Sequence, residues 1–340
     1  MTNSSTTRRR FVQGSTATAI APFFIGRSAS AADEYVVKVA TVAPPDTAWA
    51  TLVNKFRSWA KDKSGGRVKV KAYLGGALGD EISTAEGTKR GTIQAWGGSM
   101  GALASAVPEL DCLELPYLFK SAKKADAVLD KIRPQLHDLL WDRGYKLMFY
   151  SENGYRSIGA LHPVEGVKDL KGRKFRSQQS DVHLNTWRAW GASPVPMAVT
   201  EVLSSLQTGV VDGYDNTPVF TFAASWYVAT RHFTLTEHIY QPAAVVFSRK
   251  FWESLPSDLQ TALSPENEDV SKMESRGRRN IRAMEPQLIQ NFSDAGIKVH
   301  KMSESDKKQL AAPAQKAWDQ FEKGTSKAGK ELFKTIKANL

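Results

Sequence analysis

The chain lacks the features of a cross-linked or membrane-embedded protein. It has 340 residues but a single cysteine, Cys112, so no disulfide can form within the chain. This cysteine precedes the apolar residues 113–119 and is expected to be a small buried side chain. The mildly apolar run at residues 14–26 is well short of the ~20 residues that a transmembrane helix requires. We therefore expect no disulfide and no membrane-spanning helix.

Motifs for metal, nucleotide and nucleic-acid chemistry are also missing. The six histidines form no H-E-x-x-H pattern and no close ligand cluster. The glycine-rich turn at residues 74–79 lacks the Lys-Ser/Thr pair of a phosphate-binding loop. The net charge is +11, but no basic motif is interleaved with aromatic residues, and the lysines are spread along predicted helices. We therefore expect no metal, no cofactor and no nucleic-acid partner, although the positive charge weakly favours anionic ligands.

Residues 1–31 have the pattern of an export signal. Residues 7–13, Thr-Arg-Arg-Arg-Phe-Val-Gln, match a twin-arginine signal, and Ala29-Ser30-Ala31 matches an A-x-A cleavage site. The arginines would also suit the charged start of a general secretory signal. Both routes lead out of the cytoplasm, so we predict that residues 1–31 are removed and that the protein acts in the periplasm. Loss of the four arginines in this segment leaves a net charge of +7.

Hydrophobic periodicity predicts strands alternating with helices, which indicates an α/β sheet with crossover connections. The first half holds predicted strands at residues 36–40, 67–73 and 92–97 and predicted helices at residues 47–63, 83–91 and 121–144. The second half holds predicted strands at residues 146–151, 156–161, 174–177, 210–213 and 243–248, helices at residues 182–190 and 200–208, and a long helical region at residues 256–280. A capping box at residues 303–306 begins a further predicted helix.

A set of motifs in the second half is typical of one known family. Arg176 ends a predicted strand, and it is followed by Pro-Val-Pro-Met at residues 194–197, Leu-Gln-Thr-Gly at residues 206–209 and Val-Asp-Gly-Tyr-Asp-Asn at residues 211–216. In this order and spacing, the motifs resemble the signature of DctP-type solute-binding proteins, the extracytoplasmic receptors of TRAP transporters. The resemblance covers essentially the whole chain after the export signal. It is most specific between Arg156 and Asn216.

The resemblance implies a two-domain clamshell of the periplasmic-binding-protein type, with hinge strands and a long connecting helix. We expect domain 1 to comprise residues 32–153 and 242–281, and domain 2 to comprise residues 154–241 and 282–340. The chain is expected to cross between the domains near residues 152–154 and 241–242. The family also implies two kinds of partner. These are a small organic acid and the small and large membrane subunits of a TRAP permease.

Three side chains are the main candidates for binding the ligand. The resemblance implies that Arg176 grips a carboxylate, a task that suits the planar fork of donors on a guanidinium. Arg156 falls where many family members have a second arginine. Asn216 can both donate and accept a hydrogen bond, although an Asx turn would suit this position too. The chain departs from the family at Ser177, where an aliphatic residue is common, so the geometry at the strand end is expected to differ.

Further candidates follow from their positions near predicted strand ends. Val199, just after the Pro-Val-Pro-Met motif, is expected to line the pocket. The remaining candidates are aromatic residues of either domain, Trp96, Tyr214 and Tyr240, and residues of the first domain expected to close over the ligand, Asp46, Thr47, Glu86 and Ser99. An aromatic residue at such a position is more often part of a core than of a pocket.

Two alternatives remain beside a TRAP receptor. Gly-Gly-Ser-Met-Gly at residues 97–101 matches the G-x-S-x-G elbow of an α/β-hydrolase, with Ser99 as nucleophile, and Asp212 and His232 or His238 follow in the required order. No oxyanion segment precedes this motif, and the hypothesis leaves the clamp motifs unexplained. The other alternative is a binding protein that serves a sensor kinase or an ATP-driven importer. The chemical identity of the acid also stays open, since dicarboxylates, keto, hydroxy, sugar and aromatic acids all need an arginine.

Overall fold

The computed structural model describes residues 33–340, and the predicted export signal lies outside them. Within these residues a single sheet of nine strands forms the centre of the protein, in the order β2-β1-β3-β8-β4-β7-β5-β6, with β9 beside β8. The strands are β1 Tyr35–Ala40, β2 Val68–Tyr73, β3 Ala95–Ser99, β4 Tyr145–Ala160, β5 Lys174–Ser177, β6 Ser193–Pro196, β7 Gly213–Asn216, β8 His232–Ser248 and β9 Lys298–Lys301.

Two long antiparallel strands, β4 and β8, join two groups of parallel strands. β1, β2 and β3 are parallel to one another, and β3 pairs with the end of β8. β5, β6 and β7 are also parallel, and β7 pairs with the end of β4. We call the first group, with the adjoining halves of β4 and β8, the first lobe, and the second group, with the other halves and β9, the second lobe. This two-lobed arrangement of one sheet agrees with the clamshell fold class that the sequence predicts.

The β4–β8 pair is irregular where the lobes meet. Glu152 pairs with Pro242 and Gly154 with Gln241, so Asn153 forms a bulge between them. Pro242 has no N–H to donate to the ladder, and Gly154 has a φ of 92°, a conformation that favours glycine. Both predicted crossings lie at this bulge. Because β4 and β8 are continuous through it, Glu34–Leu340 form one compact unit rather than two separate bodies.

Helices cover both faces of the sheet. They are α1 Ala48–Lys63, α2 Glu81–Arg90, α3 Met100–Leu103, α4 Ala122–Asp142, α5 Asp181–Ala189, α6 Val202–Gln207, α7 Pro218–Ala223, α8 Arg249–Ser254, α9 Ser257–Ala262, α10 Glu268–Asp294, α11 Glu304–Gly324 and α12 Lys327–Lys337. Short 3₁₀ turns lie at Pro108–Glu114, Val167–Asp169, Val199–Glu201 and Trp226–Ala229. Side-chain caps begin many of these helices, as where Ser303 Oγ accepts from Asp306 N at 3.1 Å and begins α11 as predicted.

The long connecting helix is α10, and its position differs from the predicted helical region at residues 256–280. α9 ends before Pro265, since a residue that precedes proline disfavours the helical conformation. Asn267 then caps α10 by accepting from Asp269 N at 3.0 Å, and the helix continues to Asp294. α10 packs on α1 of the first lobe and on α7 and β9 of the second. It therefore connects the lobes.

Other predicted boundaries shift for local reasons. The strand predicted at residues 210–213 is β7, Gly213–Asn216, because Val210 is exposed in the turn after α6 and the Asp212 carboxylate instead accepts from Lys174 N at 2.8 Å. The helix predicted at residues 200–208 divides into a 3₁₀ turn and α6. The predicted strands at residues 146–151 and 156–161 are one strand, β4.

Each lobe has apolar cores on the two faces of the sheet. In the second lobe, Phe175 of β5 stacks on Trp187 of α5 with ring centroids 4.5 Å apart. On the opposite face, Tyr214 of β7 meets Trp226 edge to face at 5.0 Å. These packed faces hold β5 and β7 side by side, so that the side chains at their ends meet at one edge of the sheet.

Candidate functional site

Arg176 lies at the end of β5 and is 1% exposed. Its Nε and Nη2 both donate to the carbonyl oxygen of Met197, at 3.2 and 3.0 Å, which fixes the plane of the guanidinium. Its Nη1 has no hydrogen-bond partner within residues 33–340. Burial, and secondly the charge of Arg156, lower the pKa of Arg176 to about 10, so it remains positively charged at neutral pH. A buried cation with one unused donor is suited to an anion.

Arg176 borders a small cavity between the lobes. The cavity volume is about 10 Å³, which is the space of about one water molecule. The first lobe contributes the start of α2 and one residue of α3, and the second lobe contributes the end of β5 and the loop after β6. The lining residues are Asp80, Glu81, Ile82, Ala102, Arg176, Gln178, Gln179, Ala198 and Val199.

Arg156 lies next to the cavity, in contact with the lining residue Gln178. Most of its hydrogen-bond donors already have acceptors within the protein. Its Nε donates to Asp215 Oδ2 at 2.5 Å, and its Nη2 donates to the Asp215 carbonyl at 2.6 Å. Its Nη1 makes only long contacts of 3.4 Å with Gln178 Oε1 and Asn216 Oδ1. Burial works to raise the pKa of Asp215, but the charge of Arg156 and the hydrogen bond from His238 hold that pKa well below its ordinary value. Arg156 and Asp215 therefore form a buried ion pair.

Asn216 lies beside this pair at the end of β7. Its Oδ1 accepts from Thr217 N at 2.8 Å, one residue on rather than the two residues of an Asx turn, and its side chain is almost fully buried. Tyr214, two residues earlier on the same strand, pairs with Arg176 of β5. It lies in the core against Trp226 and is not among the residues that line the cavity.

A buried polar cluster joins the two lobes next to Arg156. His183 Nε2 of α5 lies 2.7 Å from Glu114 Oε2, and Ser180 Oγ donates to Asp111 Oδ1 at 2.7 Å. The other Glu114 oxygen accepts from Gly101 N at 2.6 Å. Burial raises the pKa of Asp111 to about 7. These contacts connect the 3₁₀ turn Pro108–Glu114 of the first lobe to the start of α5 in the second.

The structure places the remaining candidates as follows. Val199 lines the cavity, and Ser99 is buried beside it, with its N–H 3.3 Å from Glu81 Oε1. The others lie elsewhere. Trp96 and Tyr240 are in the core of the first lobe, Glu86 pairs with Arg90 on the surface of α2, Asp46 is exposed, and the Thr47 hydroxyl caps α1.

The hydrolase hypothesis finds no support in the geometry around Ser99. Ser99 Oγ accepts from Ala102 N at 3.2 Å and caps α3, and no histidine hydrogen bonds to it in the part of the chain that the structure describes. Asp212 accepts from Lys174 N, and His232 Nδ1 lies 2.8 Å from His300 Nε2 instead. His238 contacts Asp215. These groups do not form a triad.

Several residues at the site were not predicted as site residues, among them three polar ones. Glu81 and Gln178 line the cavity, and Asp215 neutralises Arg156. The sequence offered a signal for each of these residues, because each lies next to a motif that was recognised. Glu81 directly follows the glycine-rich turn at residues 75–80, Gln178 lies two residues after Arg176, and Asp215 directly precedes Asn216. Only the folded sheet shows that their side chains meet.

The fold and the site together define a two-lobed solute-binding protein. The chain belongs to the bacterial extracellular solute-binding protein family 7, whose DctP model matches residues 39–324. In residues 33–340, no helix has the length and apolar character needed to cross a membrane.

Individual relatives agree with this assignment. The chain is 28% identical over 317 residues to a solute-binding protein of Verminephrobacter eiseniae, covering 90% of this chain and 91% of the relative. It is 28% identical over 316 residues to the C4-dicarboxylate-binding periplasmic protein DctP of Rhodobacter capsulatus, with the same coverage of 90% and 91%. A TRAP periplasmic solute-binding protein of Chromohalobacter salexigens, solved with bound D-glucuronate, has a TM-score of 0.83 at 26% identity and covers 90% of this chain and 100% of its own.

Proposed function

We propose that this protein binds a small organic acid in the periplasm and delivers it to the small and large membrane subunits of a TRAP transporter. The observation that carries the proposal is the buried Arg176 guanidinium, whose Nη1 lacks a partner within the described residues and borders the cavity between the lobes. A carboxylate there would supply the missing acceptor and a compensating charge. The relatives' ligands, C4-dicarboxylates and D-glucuronate, share this group.

Binding requires the lobes to separate, because a cavity of about 10 Å³ admits no organic acid. We infer that residues 32–153 and 242–281 form one domain and residues 154–241 and 282–340 the other, with the bulge at Asn153 as the flexible point. A ligand that contacts both lobes favours the closed form by its extra affinity for that form. Closure would then present the loaded protein to the membrane subunits. We also propose that the protein reaches the periplasm by the twin-arginine export route.

The test is a thermal-shift screen of a carboxylate library followed by calorimetry on the acids that stabilise the protein. A ligand at 100 times its Kd is expected to stabilise the folded state by about 2.7 kcal/mol. Arg176→Gln is expected to weaken binding by about 2–5 kcal/mol, because it leaves the buried carboxylate unpaired. Arg173→Gln, at an exposed position just before β5, is the matched control and should bind as the unaltered protein does. Equal affinity of the Arg176 variant would refute the proposal.

A further inference from the structure

A second cavity lies apart from the one at Arg176. Its volume is about 400 Å³, which is within the range of small-molecule sites. It is formed where the 3₁₀ turn Pro108–Glu114 of the first lobe meets the start of α5 and the end of α11. The two cavities share no lining residue. An acid bound at Arg176 therefore leaves this second cavity without a role.

The charges that line the second cavity are mostly negative. Among the described residues that line it, three are acidic, namely Glu109, Asp111 and Asp181. Arg143 is the one basic side chain in that set, and its Nη2 lies 2.5 Å from Glu109 Oε1. Because one arginine balances one carboxylate, the cavity keeps an excess of negative charge, although the chain as a whole is positively charged. A recess lined by one sign of charge attracts ions of the opposite sign.

Two polar atoms of this lining lack hydrogen-bond partners. The side chain of Glu109 is 3% exposed, and both Arg143 Nη2 and Ser326 Oγ donate to its Oε1. Its Oε2 is buried and has no partner within residues 33–340. Thr325 Oγ1 is likewise buried without a partner in the described chain. Because an unpaired buried oxygen is costly, the cavity is suited to a ligand that brings hydrogen-bond donors.

The lining favours an organic cation over a metal ion. In the part of the chain that the structure describes, no group of three or more His, Cys, Asp or Glu side chains could hold a metal ion. Pro108, Val182 and Phe321 also line the cavity and would contact methylene groups. An ammonium or guanidinium group carries several N–H donors, which Glu109 Oε2 and Thr325 Oγ1 can accept.

We propose that the second cavity binds a small alkyl amine or guanidine, such as putrescine or agmatine, with Glu109 and Asp111 as acceptors for its N–H groups. Asp181, exposed at the start of α5, adds a further negative charge. The receptor thus has a second ligand, of the opposite charge to the acid. This site does not depend on Arg176, because the two cavities have no lining residue in common.

Binding of the cation should release a proton from Asp111. Burial raises the pKa of Asp111 to about 7, and a bound cation stabilises the ionised form. The end of α11 presents no charged residue to the cavity among those described. The charged and titratable groups around Asp111 lie on its own turn, on α5 and after α4, and they are Glu109, Glu114, Asp181, His183 and Arg143. We expect the affinity to be about tenfold higher at pH 8 than at pH 6.

The test is calorimetry of the protein with putrescine, agmatine and guanidinium at pH 8. Tetramethylammonium carries the charge without N–H donors, and putrescine or agmatine should bind at least tenfold more tightly. Calcium chloride tests a metal ion, and Nα-acetyl-lysine amide presents the group that a partner protein would offer. Failure of every amine to bind at millimolar concentration would overturn the proposal. Tighter binding of calcium or of the lysine derivative than of the free amines would overturn it too.

Three variants test the residues themselves. Glu109→Gln removes the charge and should weaken amine binding at least tenfold, and Asp111→Asn should abolish its pH dependence. Asp181→Asn, at an exposed position, should weaken binding at least twofold and decides the matter if the Glu109 variant fails to fold. Glu331→Gln, exposed on α12, is the matched control and should bind as the unaltered protein does.

Unchanged affinity in a folded Glu109→Gln protein would overturn the proposal. Arg176→Gln separates the two sites, because it should weaken acid binding and leave amine binding unchanged. A loss of amine binding in that variant would mean that the amine occupies the cavity at Arg176 instead, and would also overturn the proposal.

Discussion

The buried ion pair between Arg156 and Asp215 leads to a quantitative prediction. Both side chains are 1% exposed, and Arg156 supplies both the 2.5 Å contact to Asp215 Oδ2 and the 2.6 Å contact to its carbonyl. Arg156→Met removes these contacts and leaves a buried carboxylate that is still contacted by the side chains of His238 at 3.3 Å and His183 at 3.8 Å. Breaking a buried pair in this way costs about 3–5 kcal/mol of the free energy of unfolding. The melting temperature should fall by roughly 5–15 °C.

Urea unfolding followed by tryptophan fluorescence measures this loss. The control is Arg173→Met, the same chemical change at an exposed position, which should cost less than about 0.5 kcal/mol. The double variant Arg156→Met, Asp215→Leu removes both charges and should recover at least about 1.5 kcal/mol relative to the sum of the single changes. A cost for Arg156→Met no larger than that of the control would refute the reasoning. Strict additivity in the double variant would do the same.

Three further predictions concern stability. Because burial raises the pKa of Asp111 from 3.8 to about 7, the folded protein keeps a proton that the unfolded chain loses. The free energy of unfolding should therefore fall by up to about 4 kcal/mol as the pH rises through this range, and Asp111→Asn should flatten that slope in urea titrations. Arg282→Met should cost about 1–3 kcal/mol in urea unfolding, because it withdraws two 3.0 Å contacts from the buried Glu152 carboxylate. Gly159→Ala should lower the melting temperature in calorimetry by an amount equivalent to about 1–3 kcal/mol, since the new Cβ would lie 2.3 Å from the Tyr214 ring; no change would mean that the ring can move.

The fold was largely predictable because the local patterns agree with the tertiary structure. The alternating strands of the first half are present, and the Ser303 hydroxyl caps α11 at the predicted position. The failures occur where local signals are weak. β4 was predicted as two strands because the polar segment Ser151, Glu152 and Asn153 interrupts the apolar pattern, and pairing with β8 carries the strand through it.

The candidate site was predicted only in part. The motifs led to Arg176, Arg156, Asn216 and Val199, which the structure brings near one cavity, whereas their roles in binding stay predictions. Glu86 was chosen because it lies on the helix predicted at residues 83–91, whereas Glu81 precedes that predicted helix. In the structure Glu81 lies at the start of α2, in the cavity, and Glu86 lies on the exposed side of the helix.

The amino-acid sequence by itself determined the α/β class and the family, because periodicity and short motifs at fixed spacing are local properties of the chain. Only the tertiary structure decided which charges are free. Arg156 and Arg176 are alike as residues, yet β7 places Asp215 against the first and the Met197 carbonyl leaves one donor of the second unused. Whether a buried charge is neutralised depends on side chains that are far apart in the chain. These side chains come into contact only when the protein folds.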